Sequence, residues 1–257
     1  MRSINVLVAN TRKVLIEMRR YLPNTISLVF TFYAIFLAMF FGVTVVGDPS
    51  AADTNIRFLL VGNAMWFLLL VGINSIGWEI TTEATRGTLE QLHMSPVSPR
   101  WILLARLVGN IAVHLLIVGL MLVASMATAR TWLSIDLPLI LTLLLPMMLG
   151  VTGLAFAVAG LAIVYKQIQA MLQVSQFVFL GMAFVPLSVA PWLELAPIVK
   201  GVDMLRASLV HGVGFAGFGP SDWLSLLLNG AVYFGLGLLA YGAAERRAIS
   251  RGLLGRY

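Results

Sequence analysis

The sequence predicts an all-α polytopic membrane protein, one transmembrane domain over residues 1–257 with six spans. Three observations carry that prediction. The chain is 60% hydrophobic and only 11% charged, where a soluble domain carries about 25% charged residues. Its mean hydropathy is +0.94. The apolar residues gather into runs of roughly 20 or more, each long enough to cross the ~30 Å hydrocarbon layer as a helix. Three further elements complete the layout: an N-terminal interfacial amphipathic helix, a short cytoplasmic helix between spans two and three, and an outer re-entrant hairpin between spans five and six.

Residues 1–22 form the basic amphipathic stretch. Ile4, Leu7, Val8, Thr11, Leu15, Met18 and Leu22 fall on one helical stripe, with Asn10, Lys13, Glu17 and Arg20 mostly opposite. That pattern suits a helix lying in the membrane interface. The alternative, the n-region of a signal peptide, meets an apolar run too long for it and no A-x-A-like site. Pro23 breaks the helix and turns the chain into the bilayer. The first span is Ile26–Val46, followed by an acidic turn with Asp48, Pro49 and Asp53. The second is Phe58–Gly77.

Trp78 to Arg106 is a polar interruption that holds Glu79, Glu83, Arg86, Glu90, His93, Arg100 and Arg106. Thr81 and Thr82 offer N-caps for a short helix there, Leu89 and Leu92 give it an apolar edge, and Pro96 and Pro99 stop it. The third span runs from Trp101 to Ala129, with Arg106 near enough to its end to snorkel. Leu137–Val164 is the fourth. Its Pro138, Pro146, Gly150, Gly153 and Gly160 predict a kink or a close helix approach. Tyr165 to Gln167 turn into the fifth span, Ile168–Leu187.

Ser188 to Asp222 is broken by Pro191 and Pro197, then repeats Ile198, Val202, Leu205 and Leu209 at helical spacing. Lys200, Asp203 and Arg206 make that helix too charged to cross, so it reads as an interfacial or re-entrant hairpin. Trp223–Ala244 is the sixth span, and a basic tail follows.

Six spans put both termini on one side. The N-terminal stretch, the second and fourth loops and the tail hold 13 Lys and Arg, and the three opposite loops hold 4. The positive-inside rule therefore places both termini and the Trp78–Arg106 segment in the cytoplasm of a cell-membrane protein. The +6 net charge and pI near 10.1 fit loops facing anionic lipid and give no reason to invoke nucleic acid.

Several chemistries are missing. The three lysines, Lys13, Lys166 and Lys200, never follow a glycine, so a Walker A loop is impossible and the chain is not itself an ATPase. His93, His114 and His211 lie far apart, with no HExxH and no cysteine, which leaves no metal-ligand spacing. No GxSxG occurs, and no paired acids lie mid-span.

What remains inside the spans is uncharged. His114 lies deep in the third span and reads as a neutral side chain bonded to a neighbouring helix, or as a proton relay. Gln169, Gln173 and Gln176 form an i, i+4, i+7 stripe on the fifth span, and Asn63 and Asn74 are weaker cases on the second. These amides either bond neighbouring helices or line a translocation path.

The polar interruption carries a resemblance. Glu83-x-x-Arg86-Gly87-Thr88-Leu89-Glu90-Gln91-Leu92, followed by Ser95-Pro96-Val97, resembles the E-x-x-x-G-T-L-E-x-L…P-V signature of ABC-2 type transporter permeases. Thr85 departs from it, standing where many relatives carry a second acid. Ala196-Pro197-Ile198 through Asp203-x-Leu205-Arg206 is similar to the family's stretch between its last two spans.

The resemblance implies the membrane subunit of an ABC exporter, a half-transporter. Two copies pair, and separate ATP-binding subunits, which hold the ATP and Mg, dock beneath; this chain would hold no cofactor. It also implies that the short helix after span two is a coupling helix seated on the ATPase, with Glu83, Arg86, Gly87, Thr88, Leu89, Glu90 and Leu92 at that interface. The uncharged, partly apolar path candidates point to a hydrophobic or amphipathic cargo, drug-like or lipid-like, rather than a small ion; the resemblance equally allows a glycan, which family members also move. The reading of another class is an autonomous channel or secondary carrier.

Overall fold

The computed structural model describes residues 2–86, 88, 91, 94 and 97–252. It is all-helical, with no strand among the described residues. The helices are α1 (Arg2–Arg20), α2 (Leu22–Val46), α3 (Ala52–Thr85), α4 (Pro99–Ala129), α5 (Leu137–Tyr165), α6 (Gln169–Phe184), α7 (Val199–His211) and α8 (Pro220–Ser250). Five of them, α2, α3, α4, α5 and α8, are long and apolar enough to cross a membrane.

The predicted fifth span is shorter than expected. Its helix, α6, has 16 residues, about 24 Å at 1.5 Å per residue, against a ~30 Å hydrocarbon layer. Pro186 explains the early end, because the residue before a proline is driven out of the α region. Val185 is accordingly extended, with ψ 118°.

The central element is α3. In its apolar window 83% of residues are buried, against 11% in α2 and 17% in α8. A helix that is apolar all round belongs inside a bundle, and α3 packs on α2, α4, α5, α6 and α7. It also runs further than expected. Thr81 and Thr82 do not cap a new helix; they sit inside α3, which continues to Thr85. No proline or glycine interrupts residues 78–86, and each hydroxyl donates back to a carbonyl four residues earlier, Gly77 and Trp78, at 2.8 Å. At 34 residues the helix is about 51 Å long, so it projects well beyond the hydrocarbon layer.

Pairing of α5 with α8 brings backbone onto backbone, the close approach the glycines predict. A β-carbon on Gly237 would collide with the Gly153 carbonyl, and one on Gly153 with the Tyr233 carbonyl. Gly230 lies against the Pro146 carbonyl in the same way. Small residues at such crossings allow the dense packing that holds helices together in lipid.

The predicted apolar stripe of α1 divides in two. Leu7, Thr11 and Met18 are half-buried together with Val14, while Val8, Leu15 and Leu22 are exposed. Packing on α4 selects the first set, since Gly109 has no side chain and a β-carbon there would stand 3.0 Å from Thr11 Oγ1.

The segment between α6 and α8 is held at the opposite end of the bundle from α1. The Ser134 amide donates to the Leu209 carbonyl at 2.9 Å, which ties the α4–α5 turn to α7. Arg57 Nη1 donates to the Trp132 carbonyl at 2.9 Å. Arg206 is buried; its Nη2 donates to the Ala183 carbonyl in the last turn of α6 at 2.7 Å, and its guanidinium lies 4.6 Å over the Phe58 ring of α3.

Candidate functional site

Where α3 leaves the bundle, its charged residues meet those of two other helices. Glu79 and Glu83 are one turn apart on α3 and point toward α4. Arg106 Nη1 donates to Glu83 Oε1 at 2.6 Å and to Glu79 Oε2 at 3.4 Å. Lys13 Nζ of α1 stands 3.7 Å from Glu79 and 3.7 Å from Glu17. Arg106 therefore does not snorkel away from the protein, because two carboxylates within reach hold it in place. The side chains of Arg106 and Glu83 are only 16% and 20% exposed, so this contact is screened far less than a surface pair.

A second clamp fixes the start of α4. Arg100 Nη2 donates to Glu245 Oε2 of α8 at 2.9 Å, and its guanidinium lies 6.0 Å over the ring of the buried Tyr241. The chain between α3 and α4 is thus anchored on both sides, at Glu79 and Glu83 before it and at Arg100 and Arg106 after it. Thr88 closes the end of α3, its amide donating to the Glu83 carbonyl at 3.0 Å, and Arg86 is exposed. Gly87, Leu89, Glu90 and Leu92 lie outside the described residues, as does most of the short helix expected there.

A groove of about 550 Å³ lies between α2, α3, α4 and α6. Asn24, Thr31, Asn74, Ser75, Asn110, His114 and Gln176 give it a polar wall, and Phe32, Trp66 and Trp78 an aromatic one. Among the described residues, no carboxylate, lysine or arginine lines it. The Trp66 indole N–H is committed to the Gln176 carbonyl at 3.1 Å. Asn74 and Asn110 each have a buried side-chain oxygen without a hydrogen-bond partner among the described residues.

The structure separates the sequence-predicted amides. Asn74 and Gln176 share the groove. Gln169 and Gln173 are exposed on the outer face of α6. Asn63 is buried within α3, away from the groove lining. Among the described residues His114 bonds no neighbouring helix: its Nδ1 pairs with the Asn110 carbonyl of its own helix at 2.9 Å, and its ring meets Phe67 edge-on at 6.5 Å. Burial inside the bundle leaves the previous turn of α4 as its nearest partner. Asn110 was missed by sequence reasoning, although its i, i+4 spacing to His114 was legible.

At the far end, α8 carries a polar stripe that sequence reasoning also missed. Asp222, Ser225, Asn229 and Tyr233 recur every three or four residues and grip the segment before α7. Lys200 Nζ reaches Asp222 at 2.8 Å and Glu194 at 3.2 Å. Ser225 donates to Glu194 at 3.0 Å, Asn229 Nδ2 to the Ala196 carbonyl at 3.0 Å, and Tyr233 to the Leu195 carbonyl at 2.9 Å. Asn229 Oδ1 accepts from the Ile198 amide at 3.2 Å, holding Ile198 at a φ of 67°, where a β-branched residue is strained. The hydrogen bond from Lys200, then that from Ser225, hold the Glu194 carboxyl below its ordinary range. Burial works to lower the Lys200 ammonium, but its bonds to Asp222 and Glu194 outweigh that and raise it.

A long central helix clamped to its neighbours at one end, several apolar helices long enough to cross a membrane, and a segment tethered to the last of them at the other end form a multi-pass helical scaffold. A search of the curated proteins finds no match to this chain. The family model described as ABC-2 family transporter protein matches residues 48–239, from the turn before α3 to about two thirds of the way along α8. The chain is a multi-pass membrane protein and belongs to the ABC-2 transporter family, whose membrane domains are non-catalytic permeases that normally pair with an ATP-binding subunit.

Proposed function

We propose that this chain is the membrane subunit of an ATP-driven exporter that works by alternating access. Two copies pair, and each engages a separate ATP-binding subunit through the segment between α3 and α4. The observation that carries this reading is the double clamp: Arg106 on Glu79 and Glu83, and Arg100 on Glu245. A segment fixed to α1, α3, α4 and α8 can pass a rigid-body displacement into the bundle, which a slack loop cannot. In this reading α6 is the fifth of six spans, α1 lies in the interface, and the α7 segment is an outer hairpin. The basic residues gathered at the α1 end support placing that end and both termini in the cytoplasm.

The groove supports a hydrophobic or amphipathic cargo. Among the described residues its wall offers hydrogen bonds and aromatic faces and no charged side chain to hold an ion. The same groove is the observation that favours the second reading, an autonomous channel or secondary carrier.

One experiment separates the two. The full chain is co-expressed with a candidate P-loop ATPase, and complex formation, ATP hydrolysis and amphiphile flux in liposomes are measured. The exporter reading expects a complex, altered hydrolysis and flux that requires ATP. Flux through the chain alone supports the carrier, and absence of any complex overturns the exporter.

A further inference from the structure

The outer face of α1 carries chemistry that neither the clamp nor the groove uses. Arg12 and Arg19 lie to one side of the Thr11 line that meets α4 and Arg20 lies opposite it, and all three are exposed. None of them has a carboxylate at ion-pair distance among the described residues, whereas Lys13 is engaged by Glu17 and Glu79. Arg12 and Arg20 share a groove of about 640 Å³ with Ile16 between them. They are eight residues apart, about 12 Å along the axis, within the combined reach of two extended arginine side chains. Tyr21 lines the same groove, with the Arg20 guanidinium 5.9 Å from its ring. Glu17 also lines it, and the facing Lys13 offsets that negative charge.

Two features say what covers this face. Its apolar residues are far too exposed for water: Val8 is 59% exposed, Ile16 54% and Tyr21 57%. They continue without a break into Leu22, Ile26 and Phe30 on the outside of α2, a helix long and apolar enough to cross the membrane. The covering medium of α2 is thus also that of α1, and at that depth it supplies acyl chains beside anionic headgroups. Guanidinium groups recognise phosphate with paired N–H donors.

We propose that the groove on α1 holds the headgroup of an anionic phospholipid, its phosphate between Arg12 and Arg20 and its acyl chains along Ile16, Tyr21 and the outer face of α2. Through Lys13 and Glu79, a lipid seated there steadies the same base of α3 that Arg106 clamps. The site rests on the membrane placement of α1 and not on any ATP-driven step.

The test uses the full chain in nanodiscs of phosphatidylcholine with a minor fraction of phosphatidylglycerol, followed by mild delipidation and quantification of retained lipid. The wild-type chain retains phosphatidylglycerol above its bulk fraction. Arg12→Gln and Arg20→Gln each cut that enrichment about fivefold, the ratio expected for about 1 kcal/mol per basic residue at an anionic surface. Arg12→Lys/Arg20→Lys, which keeps the charge and loses the paired donors, retains more than the glutamine variants and less than wild type, and Arg246→Gln/Arg247→Gln on the tail of α8 leaves the enrichment unchanged. Equal loss in the tail variant means diffuse charge attraction and overturns the site. So does unchanged lipid retention in Arg12→Gln/Arg20→Gln, including the case where that variant loses a protein partner instead.

Discussion

Replacing Arg106 with glutamine tests the clamp at the base of α3. The substitution removes a charged donor 2.6 Å from Glu83 and 3.4 Å from Glu79 and leaves two carboxylates one turn apart with Lys13, among the described residues, as the cation at ion-pair distance. An exposed pair would contribute about 0–1 kcal/mol, and breaking a fully buried one would cost about 3–5 kcal/mol. Side chains 16% and 20% exposed fall between, so the loss is about 2 kcal/mol, a factor of about thirty in the local docking equilibrium. The effect is local because the Gly153–Gly237 crossing and the α3 core do not involve Arg106. Amide hydrogen exchange in nanodiscs should show residues 79–86 opening about thirtyfold more often, with little change in α5 or the middle of α3. A double-mutant cycle with Glu83→Gln should return a coupling energy of about 1–2 kcal/mol. If exchange at 79–86 is unchanged, or the cycle is additive, the clamp does not hold α3 in place and the transmission argument loses its basis.

Other consequences are as specific. Gly237→Leu drives a side chain into the Gly153 carbonyl, whereas Gly235→Leu meets nothing within 4 Å; overpacking of about 3 kcal/mol or more should scatter the first variant in size-exclusion chromatography and spare the second. Asn74→Leu and Asn110→Leu should lower amphiphile transport while leaving partner binding intact, read by flux and by co-purification. Leu92→Asp should do the reverse, uncoupling transport through loss of the partner contact while membrane insertion is normal. The Lys200 triad gives the outer segment a pH window. Glu194 is held below its ordinary value of 4.5, so its contribution is complete above that pH and fades as pH falls through the lowered value. Lys200 is raised above 10.5, so its contribution is complete below that pH and fades as pH rises beyond it. Each side amounts to about 1 kcal/mol or less for partly exposed groups, and exchange at residues 194–200 across pH should reveal it; Lys200→Met should flatten both limbs.

The spans were legible because hydropathy and helical rise act on one segment at a time. The apolar runs of α2, α4, α5 and α8 appear within a few residues of where they were expected, and the glycines of α5 announced a backbone-to-backbone contact without naming the partner. What escaped depended on a second segment. Nothing in the order of residues says that Arg106 turns to Glu83, 23 positions away across a loop, rather than to the membrane surface. Thr81 and Thr82 look like caps until the uninterrupted run from Trp78 to Thr85 is weighed against them. The glutamines share a helical face, yet of the three Gln176 is the one that reaches the groove, because packing on α3 fixes the rotation of α6 and leaves Gln169 and Gln173 exposed. Asp222, Ser225, Asn229 and Tyr233 were visible as a period, but their partners lie in an aperiodic stretch. The groove itself needs four helices at once.

The central claim is that the segment between α3 and α4 is where another subunit's ATP cycle enters this one. It is tested most directly by reconstituting the full chain with its candidate ATP-binding subunit and measuring ATP-dependent amphiphile export for wild type, Glu83→Arg and Glu83→Arg/Arg106→Glu. Export lost in the single reversal and regained in the double, with membrane insertion equal in all three, is the predicted result. Equal export from wild type and the single reversal would contradict it.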